Sequence, residues 1–483
     1  MISVQLVLCS LVLYAALQLA VGLLAARRSD NATFFTASRR VPWQVTWGAM
    51  ISAAMSGITF VSVPAMVAED GFSYLQMVLG FTVGQLIVAH WLVPLFYRWQ
   101  YTSIYEYFGD RFGPRTHRWG AWFFLLSKFV ATALKLYLVA LVMQVILFDA
   151  LGVPMWANAL LTVVVAWGYT RRGGVKSLLA TDLMKTLLMI LSVGVTLWAV
   201  VEALGYDLPT AWRTVRMDPM SRVWYFDDPH SAHYFWKMFL GGVVLLVAMT
   251  GLDQELMQRN LACRTVRDAQ KNIYLTALCQ AIVIALFLVL GALLYRYADA
   301  RDLALTELSD GIFPQVAVAG GLPGVVGVLF VAGFAAAGFS SAGAAMTALT
   351  TSISVDIMRG KELSEKRLTA VRMTSHAVVA VLLFGAMVVL GYGADERMIN
   401  LVYRVAGYTY GPILGLFLFG LWTGRRVRDR WSWLPMILAP LMAGVVQLLL
   451  KGLCSYEIGF ELLLLNAALV MAGLWLVSRR TTA

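Results

Sequence analysis

The sequence predicts an all-α membrane protein with about thirteen transmembrane helices. Hydrophobic residues make up 60% of the 483 residues and charged residues only 13%. The apolar residues form thirteen runs, and roughly 20 apolar residues are enough to cross a bilayer as a helix. The runs lie near residues 3–26, 43–66, 73–97, 119–149, 156–170, 177–204, 234–257, 273–295, 322–357, 368–393, 399–423, 431–451 and 460–478.

Basic residues collect in alternate connections between these runs. Arg39 and Arg40 follow the first run, and Arg171 and Arg172 follow the fifth. Because Lys and Arg are enriched in cytoplasmic loops, this pattern predicts a multi-pass protein of the cell inner membrane, with its N-terminus outside and its C-terminus in the cytoplasm. The net charge of +11 is scattered in small clusters, so it does not indicate nucleic-acid binding.

Two of the runs contain glycine at comparable places. The centre of one reads Ala54-Met55-Ser56-Gly57-Ile58-Thr59, and the centre of the other reads Ala248-Met249-Thr250-Gly251-Leu252-Asp253. By the count of runs, they cross the membrane in opposite directions and lie five spans apart. Interrupted helices at corresponding positions of two halves are typical of inverted-repeat transporters, where the unwound backbone lines a cavity. Alternatively, the glycines only permit close helix packing.

A helix predicted near residues 325–358 is rich in Ala, Gly and Ser. Within it Ala337, Ser340 and Ser341 lie on one face, because residues three and four apart are neighbours on a helix. Two hydroxyls and a backbone carbonyl are neutral oxygen ligands that suit a hard monovalent cation such as Na+. Alternatively, serines in a membrane helix bond their own preceding carbonyls or pack against a neighbouring helix.

Five further polar residues fall in or beside apolar runs. Ser56, Thr59 and Gln76 are candidate substrate contacts near the first interrupted helix, or else they bond between helices. Lys135 and Arg404 are cations, and a buried cation needs a partner. That partner is either a substrate carboxylate, which favours an organic anion such as an acidic sugar, or an acid of the protein itself, namely Asp182 or an acid of an outer loop. Arg404 alternatively snorkels to the outer surface.

Asp182 borders an apolar run. An acid at membrane depth is costly and is a candidate functional residue. The alternative places Asp182 near the inner surface, where a negative charge suits the N-terminus of a helix.

Several motifs together resemble the sodium:solute symporter family. They are found, in order along nearly the whole chain, at residues 38–43, 56–60, 103–108, 173–182, 253–259 and 340–357. The resemblance implies the LeuT-type fold, a five-plus-five inverted repeat. An extra helix at residues 1–28 would precede repeats at 43–204 and 234–424, and two peripheral helices would follow at 430–478.

The resemblance also implies a sodium site between the first and eighth core helices. It would use the carbonyls of Ser52, Met55 and Ala337 and the hydroxyls of Ser340 and Ser341. Some members have a second sodium site, to which Asp182 corresponds here. The implied activity is Na+-coupled symport of a small polar organic solute: a sugar, an acidic sugar or another organic anion. Met249-Thr250 replaces the aromatic pair of the sugar-transporting members, so glucose or galactose is not a simple assignment.

Other functions remain as alternatives. In a proton-coupled symporter of the same fold, Asp182 would titrate and the two serines would only pack. A channel would need a continuous polar pore, and a sensor would need a signalling domain after the last span; the sequence suggests neither. The five histidines form no ligand cluster, so an enzyme is not expected. The expected partners are the solute, sodium ions and the lipid bilayer, and the oligomeric state is left open.

Overall fold

The structure is a computed structural model that describes residues 4–27, 29–305, 310–391, 398–454, 456, 458–459 and 461–479. Almost all of the regular structure in these ranges is helical. The helices of the first half are α1 (Val4–Ala25), α2 (Asn31–Thr36), α3 (Trp43–Ala54), α4 (Gly57–Ala65), α5 (Val67–Asp70), α6 (Tyr74–Ile87), α7 (Val93–Trp99), α8 (Glu106–Phe112), α9 (Pro114–Met143), α10 (Met155–Gly173), α11 (Val175–Ala203) and α12 (Leu208–Met217).

The second half of the chain is also helical. Its helices are α13 (Phe235–Leu246), α14 (Gln254–Asn260), α15 (Val266–Ala300), α16 (Ile312–Ala319), α17 (Gly324–Ser352), α18 (Glu365–Leu390), α19 (Met398–Trp422), α20 (Trp433–Cys454) and α21 (Leu462–Val477). Two short strands, β1 (Arg426–Val427) and β2 (Ser478–Arg479), pair antiparallel just after α19 and α21.

The helices have the length and surface of membrane spans. Among the described residues, nine helices are long and apolar enough to cross a membrane, or up to eleven if each of two bent helix pairs is counted as one span. Leu13 on α1 and Leu448 on α20 are 71% and 73% exposed, as expected for helices surrounded by lipid. The helical membrane class is therefore confirmed. Each of the thirteen predicted runs contains a helix, but the number of spans stays a prediction.

The first bent pair is α3 and α4, whose axes differ by 51°. Met55 and Ser56 between them have extended backbone, with φ/ψ of −117°/106° and −91°/173°. The hydroxyl of Thr59 accepts a hydrogen bond of 3.3 Å from the Ser56 N–H and so caps the start of α4. The predicted interruption at Gly57 is confirmed.

The second bent pair is α13 and α14, at 70°. A turn of π-helix continues α13 over Val247–Gly251, and α14 begins after Asp253. The Asp253 carboxylate accepts hydrogen bonds from the N–H groups of Glu255 (2.7 Å) and Leu256 (3.4 Å), which caps α14. The predicted interruption near Gly251 is confirmed, whereas the repeat boundaries at 43–204 and 234–424 stay predictions.

Small residues bring α17 close to its neighbours. A Cβ on Gly338 would lie 2.4 Å from Cγ1 of Val139 on α9, and a Cβ on Gly343 would lie 2.1 Å from the Tyr169 hydroxyl on α10. Neither position has room for a larger side chain. Helix α11 packs against α3, α15 and α17. It therefore lies beside both α17 and the helix that ends at the first break.

Candidate functional site

A cavity lies beside both helix breaks and is enclosed by α3, α4, α6, α9, α13, α14 and α15. Its lining residues are divided evenly between apolar and polar side chains, and such a concave site can bind a small polar molecule. The apolar side chains include those of Met50, Ala53, Ile58, Phe81, Leu245, Leu246, Met249 and Ile273. The polar side chains are those of Ser56, Thr59, Gln85, Lys128, Lys135, Thr250, Asp253, Glu255, Thr276 and Gln280.

Three of the five predicted substrate contacts line this cavity: Ser56, Thr59 and Lys135. Within the described ranges, no carboxylate oxygen lies within 4.0 Å of the Lys135 ammonium. The alternative in which Lys135 pairs with Asp182 is therefore wrong, because Asp182 pairs with Arg259 instead. Lys135 thus makes no ion pair among those residues, although Glu255 and Asp253 attract its charge from a greater distance.

Gln76 and Arg404 lie elsewhere. The Gln76 amide donates to the His233 carbonyl at 2.9 Å and accepts from the Tyr225 N–H at 3.1 Å, so it anchors the connection between α12 and α13. Arg404 is exposed and lines a second cavity together with Asp70 and His233. The structure therefore does not bring these two residues together with Ser56, Thr59 and Lys135.

Asp182 lies at the centre of a buried polar cluster. Ser340 on α17 donates a hydrogen bond to Oδ1 of Asp182, and the Ser52 hydroxyl on α3 lies 3.5 Å from the same oxygen. Arg259 on α14 donates to Oδ2 from Nη2 at 3.0 Å and from Nε at 3.2 Å. Asp182 is completely buried, and seven residues of α11 precede it, so it does not lie in the first turn of that helix.

Lys185 is the second cation of this cluster and was not singled out from the sequence. Its ammonium donates a 2.6 Å hydrogen bond to the backbone carbonyl of Ser52. The side chain is 1% exposed and lies one helical turn after Asp182. The next residue, Thr186, donates to the carbonyl of Gly48, so two consecutive side chains of α11 bind the backbone of α3.

The remaining predicted ion ligands surround the same break. Met55 is buried at the break itself, and Ala337 packs next to Gly57, where a Cβ would lie 3.8 Å from the Ala337 Cβ. Ser341 follows Ser340 on α17 and is partly exposed. The predicted set thus offers hydroxyl, carbonyl and carboxylate oxygens on three adjoining helices. That donor set fits Na+ in kind, since hard cations take oxygen ligands.

An ion network extends from Asp182 along the cavity wall. Arg259 also reaches Glu255 at 3.3 Å, and Lys128 pairs with Glu255 at 2.7 Å and with Asp253 at 2.9 Å. The Tyr410 hydroxyl on α19 donates to Asp253. These contacts connect α14 and its cap residue Asp253 to α9, α11 and α19.

The sequence held weak signals for the residues that were missed. Lys128 lies seven residues before Lys135, on the same side of α9, and Lys185 lies three residues after Asp182. Both are lysines within apolar runs, which is unusual at membrane depth. Glu255 and Arg259 belong to the motif at 253–259, but spacing alone did not show which distant residues they would meet.

Comparison with known families gives these residues a context. The family model described as the sodium:solute symporter family matches residues 34–429. This match covers most of the chain. The chain belongs to the sodium:solute symporter family.

Curated relatives of this symporter-family chain are similar at a moderate level. It is 25% identical to the sodium/iodide cotransporter of Homo sapiens over 83% of this chain and 62% of that protein. It is 27% identical to the sodium-dependent multivitamin transporter of Oryctolagus cuniculus over 77% and 58%, and 26% identical to sodium-coupled monocarboxylate transporter 2 of Danio rerio over 77% and 60%. The chain thus spans about three-fifths of the length of these relatives.

Solved structures share the fold. A substrate-bound, outward-open structure of a Na+-coupled sialic acid symporter superposes with a TM-score of 0.82 at 19% identity, covering 99% of both chains. Mhp1, a nucleobase-cation-symport-1 family transporter, in a closed conformation superposes with a TM-score of 0.54 at 15% identity, covering 92% of this chain and 93% of that one. The expected LeuT-type fold is therefore the fold of this chain.

Proposed function

We propose that the protein is a Na+-coupled symporter of a small organic anion, working by alternating access in the cell inner membrane. The observation that carries the choice of an anion is Lys135, a half-buried cation that lines the cavity and makes no ion pair among the described residues. A cation removed from water without an ion pair is costly, and a substrate carboxylate would supply that pair. The ion gradient would drive uptake, since one charge moved through about 100 mV is worth about 2.3 kcal/mol.

The proposed sodium site lies between the α3–α4 break and α17. Its ligands are the carbonyls of Ser52, Met55 and Ala337 and the hydroxyls of Ser340 and Ser341, with Asp182 at a second, adjacent position. The hydrogen bonds that join Ser52, Ser340 and Asp182 support this grouping. Bound Na+ would hold the first broken helix against α17.

The proposed substrate site has two ends. Lys135 would hold the carboxylate, with Ser56 and Thr59 beside it. Polar groups of α6 and α15 also line the cavity. Gln85 donates to Gln280 at 2.6 Å, whereas Oε1 of Gln85 and the Thr276 hydroxyl have no hydrogen-bond partner within the described part of the chain. These unsatisfied groups would bind the polar part of the solute, because an unpaired buried polar atom is costly.

The relatives are consistent with an anionic solute. Iodide, monocarboxylates and sialic acid are stated in the names of three of these proteins, and all carry a negative charge in their common forms.

We propose that Gln76 anchors the outer connection between α12 and α13, and that Arg404 lies in the outer vestibule. With the basic connections inside, the N-terminus would lie outside and the C-terminus in the cytoplasm.

The test is uptake into proteoliposomes under an inward Na+ gradient, with choline replacing Na+ as the reference. The labelled solutes are a monocarboxylate, sialic acid, iodide and the neutral sugar galactose. We expect Na+-driven uptake of an organic acid that falls at least tenfold in Lys135→Met, while the exposed Lys271→Met on α15 behaves like the wild type. Uptake of galactose alone, unchanged in Lys135→Met, would contradict the anion assignment.

The proton-coupled alternative is tested in the same vesicles. The Asp182 carboxylate is paired with Arg259 and accepts a hydrogen bond from Ser340. Uptake driven by an inward proton gradient in choline, and unaffected by Na+, would select that alternative instead.

A further inference from the structure

Lys185 and the backbone carbonyl of Ser52 form a contact that family membership does not explain. The distance from Nζ to the carbonyl oxygen is 2.6 Å, and the lysine side chain is 1% exposed. Among the residues that the structure describes, this is the one hydrogen bond that the ammonium makes. A positive charge in this interior is therefore directed at main-chain oxygen.

The nearest acid is already occupied. Asp182 lies on the same face of α11, one turn before Lys185. However, its Oδ2 accepts two hydrogen bonds from Arg259, and its Oδ1 accepts one from Ser340. Lys185 therefore takes its acceptor from α3.

The Ser52 carbonyl is available because the helix breaks. In a continuous helix it would accept from the N–H of Ser56, four residues later. That N–H instead donates to the Thr59 hydroxyl at the start of α4. The carbonyl is thus one of the unpaired acceptors at the end of α3, which suits it to bind a cation.

We propose that Lys185 is a tethered cation that holds the Ser52 carbonyl in the absence of Na+ and is displaced from it when Na+ binds. This inference rests on the sodium site proposed above. Two cations on the same carbonyl oxygen would lie only a few ångströms apart in a buried site, where like charges repel strongly. Sodium binding therefore requires Lys185 to leave α3, which links the ion to the contact between α3 and α11.

The experiment is a Na+ titration of the purified protein, followed by its thermal unfolding midpoint and by tryptophan fluorescence, with choline chloride keeping the ionic strength constant. Lys185→Met frees the carbonyl, so we expect half-saturation at about tenfold lower Na+, a change of about 1.4 kcal/mol. Lys185→Gln is neutral but keeps a hydrogen-bond donor, so its half-saturating Na+ should fall as well, and it replaces the methionine variant if that variant does not fold. Lys185→Arg keeps the positive charge and should bind Na+ as weakly as the wild type does.

Two further variants separate displacement from general charge effects. Lys135→Met removes a cation that interacts electrostatically with Lys185 but does not touch Ser52. We expect it to shift Na+ half-saturation by less than threefold. Lys176→Met removes an exposed lysine from the first turn of α11 and leaves half-saturation unchanged. A gain in Lys135→Met as large as in Lys185→Met, or no gain in Lys185→Met, would overturn the proposal.

Serine variants distinguish a failure of the Lys185 proposal from a failure of the proposed sodium site. If Ser341→Ala weakens Na+ binding while Lys185→Met binds as the wild type does, the site stands and the role of Lys185 is wrong. If neither Ser340→Ala nor Ser341→Ala changes half-saturation, in the wild type or with Lys185→Met, the sodium site lies elsewhere and both proposals fail.

Discussion

Arg259 and Asp182 form a buried ion pair in which Nη2 and Nε of the arginine lie 3.0 and 3.2 Å from one carboxylate oxygen. The two side chains are 1% and 0% exposed. Arg259 belongs to α14, beyond the second helix break, and Asp182 belongs to α11, which packs against α3 before the first break. The pair therefore connects the two interrupted helices through one carboxylate.

Arg259→Gln should destabilise the protein strongly. The change leaves Asp182 as a buried charge without its main partner, which costs about 3–5 kcal/mol. The free energy of unfolding, measured by denaturant titration in detergent micelles, is expected to fall by that amount. Asp182→Asn in the same chain should recover part of the loss, because it removes the orphaned charge.

Arg267→Gln is the matched control for this pair. Arg267 is an exposed arginine in the first turn of α15, so its loss should change the free energy of unfolding by about 0.5 kcal/mol or less. Equal stability of Arg259→Gln and Arg267→Gln would show that the buried pair does not hold the two helices together.

Ser340 and Ser341 should respond differently to the loss of their hydroxyls. Ser340 donates to Asp182, so Ser340→Ala should lower the unfolding free energy by about 1–3 kcal/mol even without Na+. Ser341 is partly exposed and has no hydrogen bond recorded in the described part of the chain. Ser341→Ala should therefore leave stability in choline unchanged and raise the half-saturating Na+ about tenfold.

Thermal unfolding in choline and in NaCl measures both effects in one series. A large loss of stability for Ser341→Ala in choline would indicate that this hydroxyl has a structural role. An unchanged Na+ response in both variants would remove the two serines from the ion site.

The sequence predicted the helical class, both helix breaks and the small-residue packing of α17, because each depends on local composition. It also directed attention to Asp182 and Ser340, which the structure brings into contact. It did not predict Lys185 on the Ser52 carbonyl or Arg259 on Asp182, since those contacts join residues 133 and 77 positions apart. A polar residue in an apolar run shows that a partner exists, but not which one.

Gln76 illustrates that limit and gives a prediction. Its amide binds the His233 carbonyl and the Tyr225 N–H, so Gln76→Met should loosen the connection between α12 and α13. Chymotrypsin, which cleaves after aromatic residues, should then cut near Tyr225 several times faster than in the wild type. The fragments are measured by mass spectrometry over a time course.

Gln144→Met is the control for Gln76. Gln144 binds Asp149 and the Val153 carbonyl in a different connection, so its loss should leave cleavage near Tyr225 unchanged. If Gln76→Met instead leaves cleavage unchanged and raises KM for the transported solute, Gln76 contacts substrate as the sequence first suggested.

Gly338 on α17 gives the sharpest test of packing. Gly338→Ala would place a methyl group 2.4 Å from Cγ1 of Val139, so helices α9 and α17 must move apart. Overpacking of this kind costs about 1–3 kcal/mol of unfolding free energy. Val139→Ala alone removes buried methyl groups and costs about 1–2 kcal/mol.

The double variant with Gly338→Ala and Val139→Ala should be more stable than the sum of the two single losses predicts, because the smaller side chain at position 139 makes room for the new methyl group. The three heavy atoms nearest to a Cβ at Gly338 are Cγ1, Cβ and Cγ2 of Val139, and the substitution removes the closest of these. A coupling free energy of about 1 kcal/mol or more is expected from denaturant titrations of all four proteins. Strict additivity would mean that α9 and α17 do not meet at these residues, and the position of Ser340 relative to Asp182 would then need revision.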